Sequence, residues 1–206
     1  LRPAILYNFP CTPGSPQDKL AHNMEPVEKI GMIARWQPVH QGHAAVLRAL
    51  CRSAASITIG IGSANVQDYR SPFSLDEVLD MLKLVLPAYE NVALIPVPDL
   101  NDGPRWRDMV LDLYGPLDVF VTANPYVCSL LSEQYTIVHP ASLLNDDEKV
   151  PVDGMRVRQL MARGEDWEPL VPEVIENYLT RNRLDDRFRK QYGLQTLALD
   201  PIIGRI

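Results

Sequence analysis

From Val27 onward, short apolar β-branched runs alternate with stretches whose apolar residues recur at helical spacing. This alternation restricts the chain more than any other feature. A run of period two cannot bury one face as a helix, and a run of period 3.6 cannot do so as a strand. Val27 to Ala34 predicts a first buried strand, and His43 to Ala54 a helix with Val46, Leu47 and Leu50 on one face. Ser56 to Ile61 predicts the second strand. Ser74 to Leu86 predicts a helix capped by Ser74, with Leu75, Val78, Leu79, Leu82 and Val85 as its stripe. Strands follow at Val92 to Val97, Asp118 to Thr122 and Tyr135 to Val138. Helices follow at Arg105 to Leu113, Pro125 to Glu133, Gly154 to Arg163 and Pro169 to Leu179.

Strand–helix alternation implies βαβ units. The expected fold is α/β and doubly wound (Rossmann-like), a parallel five-stranded sheet with helices on both faces. Such sheets bind ligands outside the carboxyl ends of their strands, where the strand order reverses. The loops after Ala34, Gly62, Val97 and Thr122 are therefore the places to look.

Three segments are expected. Residues 1–26 form a proline-rich N-terminal arm, punctuated by Pro3, Pro10, Pro13, Pro16 and Pro26, which block regular ladders. Residues 27–180 form the α/β domain, and residues 181–206 a C-terminal tail. Leu1 to Leu6 lacks a long apolar stretch, so no secretory signal is expected. Leu1 is not an initiator methionine, so further upstream residues are expected. No apolar run reaches the length of about 18 residues that spans a membrane, so no membrane partner is expected. Cys11, Cys51 and Cys128 are scattered and odd in number, which argues against a disulfide framework or zinc site and for a cytoplasmic location. The net charge of -6 argues against broad nucleic-acid binding but not against a small phosphate ligand in a local pocket.

The loop after the first strand carries the densest chemistry: Arg35-Trp36-Gln37-Pro38-Val39-His40-Gln41-Gly42-His43. At a helix start, His40 and His43 lie on one side, and the first turn offers free N–H groups at the positive end of the dipole. Gly42 lets a ligand approach the backbone, and Arg35 adds a permanent forked cation. Imidazole and amide donors converging on one point suit a phosphate. A metal is the weaker alternative, because HxxH lacks further ligands here.

Pro38-x-His40-x-Gly42-His43 after a first strand resembles the HxGH signature of the nucleotidyltransferase superfamily. The run from Gly31 to His43 is similar to the loop of archaeal-type nicotinamide-nucleotide adenylyltransferases, G-R-F-Q-P-x-H-x-G-H. Further blocks follow in the same order over roughly residues 28–180. They are Ile59 to Ala64 with Ser71 to Ser74; Asp99, Asn101 and Trp106; Asn124-Pro125; and Gly154, Val157 and Arg158 followed by Gly164, Trp167 and Pro172.

The resemblance implies an adenylyltransferase that joins ATP to nicotinamide mononucleotide and releases NAD and pyrophosphate. His40, His43 and Arg35 would be catalytic. Gly42, Asn124, Arg156 and Arg158 would bind the nucleotide, and Trp106, Asp99 and Asn101 the acceptor. Mg²⁺ would ride on phosphate oxygens, with no metal held by a protein cage. A homo-oligomer is a further expectation. Trp106, Asp99, Asn101 and Asn124 also have structural alternatives, as a core aromatic, as turn residues and as a helix cap. The chain departs from the family's S-G-T-x-I-R style closing motif at Asp153-Gly154-Met155-Arg156-Val157-Arg158. It also has Val78 after Asp76-Glu77, where the family often has arginine. These departures keep two other readings open: a nucleotidyltransferase using another phosphorylated acceptor or CTP, and a non-catalytic nucleotide-binding relative.

Overall fold

The computed structural model describes residues 27–86 and 90–203, and the proline-rich arm expected at 1–26 lies outside them. The domain is built as β1 (Val27–Ala34), α1 (Gln41–Ser53), β2 (Ala54–Gly62), α2 (Leu75–Val85), β3 (Val92–Val97), α3 (Gly103–Tyr114), β4 (Val119–Val121), α4 (Pro125–Leu131), β5 (Ile137–Val138), α5 (Gly154–Arg163), α6 (Glu173–Arg181) and α7 (Leu184–Ile203). The strands form one sheet in the order β3-β2-β1-β4-β5. All four pairings are parallel. The order reverses between β1 and β4, so the carboxyl ends of those two strands flank the switch point.

Period-two alternation sorts side chains onto two faces. Ile30, Met32, Ile57, Ile59, Ile61, Val119 and Val121 pack into one cluster with α1, α2, α5 and α6. Phe120, Val97, Ile33 and Ile95 pack on the other face with Val110 and Tyr114 of α3 and Leu131 of α4. Two strand glycines shape that second face. A Cβ on Gly31 would lie 2.8 Å from the Tyr114 ring, and one on Gly60 would overlap the Tyr114 hydroxyl. Their absence lets Tyr114 lie flat on the sheet and donate a 2.9 Å hydrogen bond to the Met32 carbonyl.

The segment expected to be a C-terminal tail is instead mostly helical. Leu184 and Phe188 of α7 join the main core, and Arg189 Nε donates to the Met161 carbonyl of α5 at 2.9 Å. Arg187 forms a two-pronged pair with Glu77 of α2, at 2.5 and 2.6 Å. Burial opposes ionisation of Glu77, yet Arg187 and the Ser74 cap outweigh it and hold the carboxyl below its usual range. The Glu77 block therefore serves α7 docking and the α2 cap. The other cysteine expectation also changes: Cys51 is a free thiol, whereas Cys128 is disulfide-bonded. Among the described residues, no helix is long and apolar enough to cross a membrane.

Gly60→Ala should destabilise the domain by about 1–3 kcal/mol in urea unfolding, because a methyl group has no room beneath Tyr114. Adding Tyr114→Phe should recover part of that loss. Simple additivity of the two would show that the hydroxyl is not the obstacle.

Candidate active site

A cleft of about 1220 Å³ opens along the carboxyl edge of the sheet. Its wall takes residues from the ends of β1, β2, β3 and β4 and from the segments after β5 and before α5. Three residues of these strand-end loops have left-handed backbones: Trp36 (φ 58°), Ser63 (φ 55°) and Asn101 (φ 53°). Such conformations are costly without glycine and concentrate where a loop has been forced into a required path.

The floor is the β1–α1 loop. His40 is the N-cap of α1, and His43 occupies the third helical position. The two cap each other reciprocally. His40 Nδ1 accepts from the His43 amide at 3.2 Å, and His43 Nδ1 accepts from the His40 amide at 3.4 Å. This is a capping box built from two imidazoles. The rings stack at 3.6 Å with 19° between planes, and Trp36 tilts against His43 at 4.7 Å. An Nδ1 that accepts a hydrogen bond carries no proton, so the network assigns the neutral tautomer with Nε2–H on both rings. Electrostatics agrees. Burial lowers His40 to about 4, with Asp153 pulling upward and Arg158 pushing downward. Burial also holds His43 well below its usual value, helped by His40 and opposed by the Pro38 carbonyl.

The loop is fixed from several sides. Trp36 Nε1 donates to the Gly60 carbonyl of β2 at 2.9 Å. The Gln37 amide donates to the Phe73 carbonyl at 3.0 Å and accepts from the Phe73 amide at 2.9 Å. Gln41 of α1 donates to the Val171 carbonyl at 2.9 Å. The Gln37–Pro38 peptide bond is cis.

Most of the expected site residues meet here. His40, His43, Gly42, Arg35, Asp99, Asn101, Trp106 and Asn124 all line the cleft. Gly42 also has a packing reason: a Cβ there would sit 3.2 Å from His40 Nδ1 and 3.3 Å from the Val152 carbonyl. The glycine makes room for the histidine ring and for the segment before α5. Asn124 caps α4 through a 2.9 Å bond from the Tyr126 amide. The Asp99 main chain is held both ways by the Asn65 side chain, at 2.7 and 3.0 Å. Trp106 lies on the first full turn of α3, half-buried between the cleft and the second core cluster.

Two expected residues are not among those lining the cleft. Arg156 is exposed and lies off the cleft wall. Arg158 is only 7% exposed, and its Nη1 donates to the Gln37 carbonyl at 2.7 Å. Asp153, the acidic departure, is the N-cap of α5 and accepts from the Arg156 amide at 2.8 Å.

The cleft also takes in Tyr126, His139 and Lys149, which sequence patterns did not single out. His139 follows β5, so the strand-end rule extended to the fifth strand would have found it. Lys149 sits in a charged run and gave no signal.

Protonating either imidazole at Nδ1 breaks a cap bond. In the unfolded chain His40 titrates at its ordinary 6.5, and in the folded chain at about 4. Folding stability from this group is complete above 6.5 and is lost as pH falls towards 4. Its full value is about 3 kcal/mol. His40→Asn keeps a cap acceptor but cannot titrate, so its melting temperature should fall less steeply than wild type between pH 6.5 and 4. Parallel curves would remove His40 from the acid response.

Residues 32–102 match the cytidylyltransferase-like family model. The chain is 31% identical over 170 residues to the nicotinamide-nucleotide adenylyltransferase of Methanococcus vannielii, covering 78% of this chain and 97% of that one. It is 34% identical to the enzyme of that name from Thermoplasma volcanium, covering 70% and 81%. Among solved structures, the Plasmodium falciparum nicotinic acid mononucleotide adenylyltransferase superposes with a TM-score of 0.54 at 11% identity, covering 77% and 98%. A bifunctional NMN adenylyltransferase/ADP ribose pyrophosphatase from Francisella tularensis, solved with AMP and a manganese ion, gives 0.55 at 16% identity. It covers 77% of this chain, which spans about half the length of that protein. At such identities these two likenesses speak for the fold. With the sheet order, the paired histidines and relatives matched over nearly their whole length, the chain belongs to the nicotinamide-nucleotide adenylyltransferase family.

Proposed function

We propose that the cleft joins ATP to nicotinamide mononucleotide, giving NAD and pyrophosphate. The observation that carries this reading is the reciprocal histidine cap. It fixes two neutral imidazoles, each keeping its proton on Nε2, at the amino end of α1 and on the cleft wall. A phosphate oxygen of the acceptor attacks the α-phosphorus of ATP in line. A new P–O bond forms, the bond to the bridging oxygen breaks, and pyrophosphate leaves with that electron pair. The attacking group is already an anion, so no protein base or nucleophile is required. The work left to the protein is positioning and stabilising charge.

Each residue follows from its place. His40 and His43 donate from Nε2 to α- and β-phosphate oxygens. Because both rings are preorganised, donation costs no reorganisation as charge develops. Arg35, exposed at the rim, and Lys149 across the cleft hold the triphosphate tail. Trp106 stacks on the nicotinamide ring, a flat cation that favours an aromatic face. Asp99 and Asn101 address the acceptor's polar groups, and Asn124 the nucleotide, beyond the β4 end.

Among the described residues, no three His, Cys, Asp or Glu side chains gather to hold a metal ion. Mg²⁺ would come with the nucleotide, and Asp99 and Asp153 on the cleft wall would be the carboxylates to hold it there. When bound, the ion neutralises triphosphate charge. A cytoplasmic, homo-oligomeric enzyme remains part of this proposal.

His43→Asn keeps a cap acceptor near the Nδ1 position but has no donor at Nε2. Pyrophosphate release should fall roughly 10²–10³-fold while melting stays near wild type. His43→Gln offers a distal amide donor as well as a cap acceptor, so it should retain more activity than His43→Asn. Near-normal turnover in His43→Asn would end the assignment. Trp106→Ala should raise the KM for nicotinamide mononucleotide about tenfold and leave the KM for ATP unchanged. An acceptor panel that includes nicotinic acid mononucleotide, run with both ATP and CTP, tests the choice of substrates.

A further inference from the structure

Tyr126 stands on the cleft wall and is 60% exposed, a position that buries little of a large aromatic side chain. Its main chain is held at both polar groups. The Tyr126 amide donates to Asn124 Oδ1 at 2.9 Å, and its carbonyl accepts from Ser129 Oγ at 2.8 Å. The side chain leaves α4 and reaches the first residue of α3. A Cβ on Gly103 would lie 2.5 Å from the Tyr126 hydroxyl and 3.6 Å from the ring carbon that bears it. Glycine at that helix start therefore gives the phenol its place. Trp106 follows Gly103 by three residues, so the two positions are neighbours on one side of α3, about 5–6 Å apart at Cβ. Both Trp106 and Tyr126 line the cleft. Among the described residues, neither makes a ring–ring contact. The lining residues from Asp99 to Trp106 add two carboxylates, Asp99 and Asp102, and no cation.

We propose that Tyr126 is a specificity-determining residue, a second aromatic jaw that closes with Trp106 on the pyridinium ring of the acceptor. The proposal rests on the proposed adenylyl transfer. Two aromatic side chains and two carboxylates surround this end of the cleft with negative ring faces and negative charge. That combination selects a flat heteroaromatic ring bearing positive charge. A ring held between two others needs about 7 Å of separation, twice a carbon contact of about 3.5 Å. Tyr126 can supply it, because its backbone is fixed while its exposed ring has room to change rotamer. The anchored backbone confines the freedom lost on binding to the side-chain torsions. The recognising surface is the ring face, so the hydroxyl is dispensable.

The experiment measures binding apart from chemistry. Calorimetry follows nicotinamide mononucleotide binding to protein already loaded with Mg²⁺ and the non-hydrolysable α,β-methylene analogue of ATP. Tyr126→Leu should weaken acceptor binding about tenfold and leave the affinity for the ATP analogue within about threefold of wild type. Tyr126→Phe, which keeps the ring, should stay within about threefold of wild type for both ligands. Gly103→Ala should weaken acceptor binding by displacing the phenol. Gly103→Ala/Tyr126→Phe should recover most of that loss, because the hydroxyl is the atom nearest the new methyl group. Reduced nicotinamide mononucleotide, whose dihydropyridine ring carries no charge, should bind wild type more weakly than the oxidised form. Tyr126→Leu should narrow that preference by about threefold or more. Unchanged acceptor affinity in Tyr126→Leu overturns the proposal, and so does a preference for the oxidised ring that the substitution leaves intact. A Tyr126→Leu protein that loses the ATP analogue instead assigns the phenol to the nucleoside and also overturns it. Wild type that binds the acceptor yet releases no pyrophosphate with ATP fails the proposed reaction alone, a result that leaves the binding comparison standing.

Discussion

Two imidazoles that accept each other's backbone amides hold the active cleft together. Each Nδ1–amide bond satisfies a donor that a helix start otherwise leaves unmet, so the cap and the ligand-facing geometry have the same cause. The bonds are possible only when both rings are neutral, and burial keeps them so. The remaining proton is then forced to Nε2 on each ring. Stability at the start of α1 and the tautomer of both rings are therefore one property of the protein.

The surrounding contacts give that cap a fixed place on the sheet. Trp36 is tied to Gly60 of β2, Gln37 to Phe73 and Arg158, and Gln41 to Val171 ahead of α6. Four segments distant in sequence thus hold a loop that ends at the switch point between β1 and β4. The glycines serve the same close packing: Gly42 yields to the His40 ring, Gly154 to the Arg158 contact, and Gly31 and Gly60 to Tyr114. None of these four has a positive φ among those recorded for glycine here, so close approach and not backbone freedom explains them.

The acidic departure in the closing motif also becomes intelligible. Asp153 caps α5 through the Arg156 amide, a job that serine or threonine performs elsewhere. It remains on the cleft wall, so the site holds Asp99, Asp102 and Asp153 beside Arg35 and Lys149.

Local chemistry was enough to give the parallel sheet, the Ser74 cap of α2, the histidine loop and the loops that line the cleft. Period and capping act over a few residues and leave their mark on the sequence. The α7 helix was not legible because its buried positions, Leu184, Phe188 and Thr196, form a narrow stripe interrupted by polar and glycine residues. Such a stripe needs α5 and Glu77 of α2 to define its inner face. The Arg158 contact was equally hidden: only packing brings its Nη1 to the Gln37 carbonyl. That the His40 ring packs close beside Gly42 was likewise not legible, because it depends on where that ring turns. Sequence determines what the backbone does within one element. Which way a long side chain points, and what occupies the volume beside a glycine, is decided only when distant elements close around it.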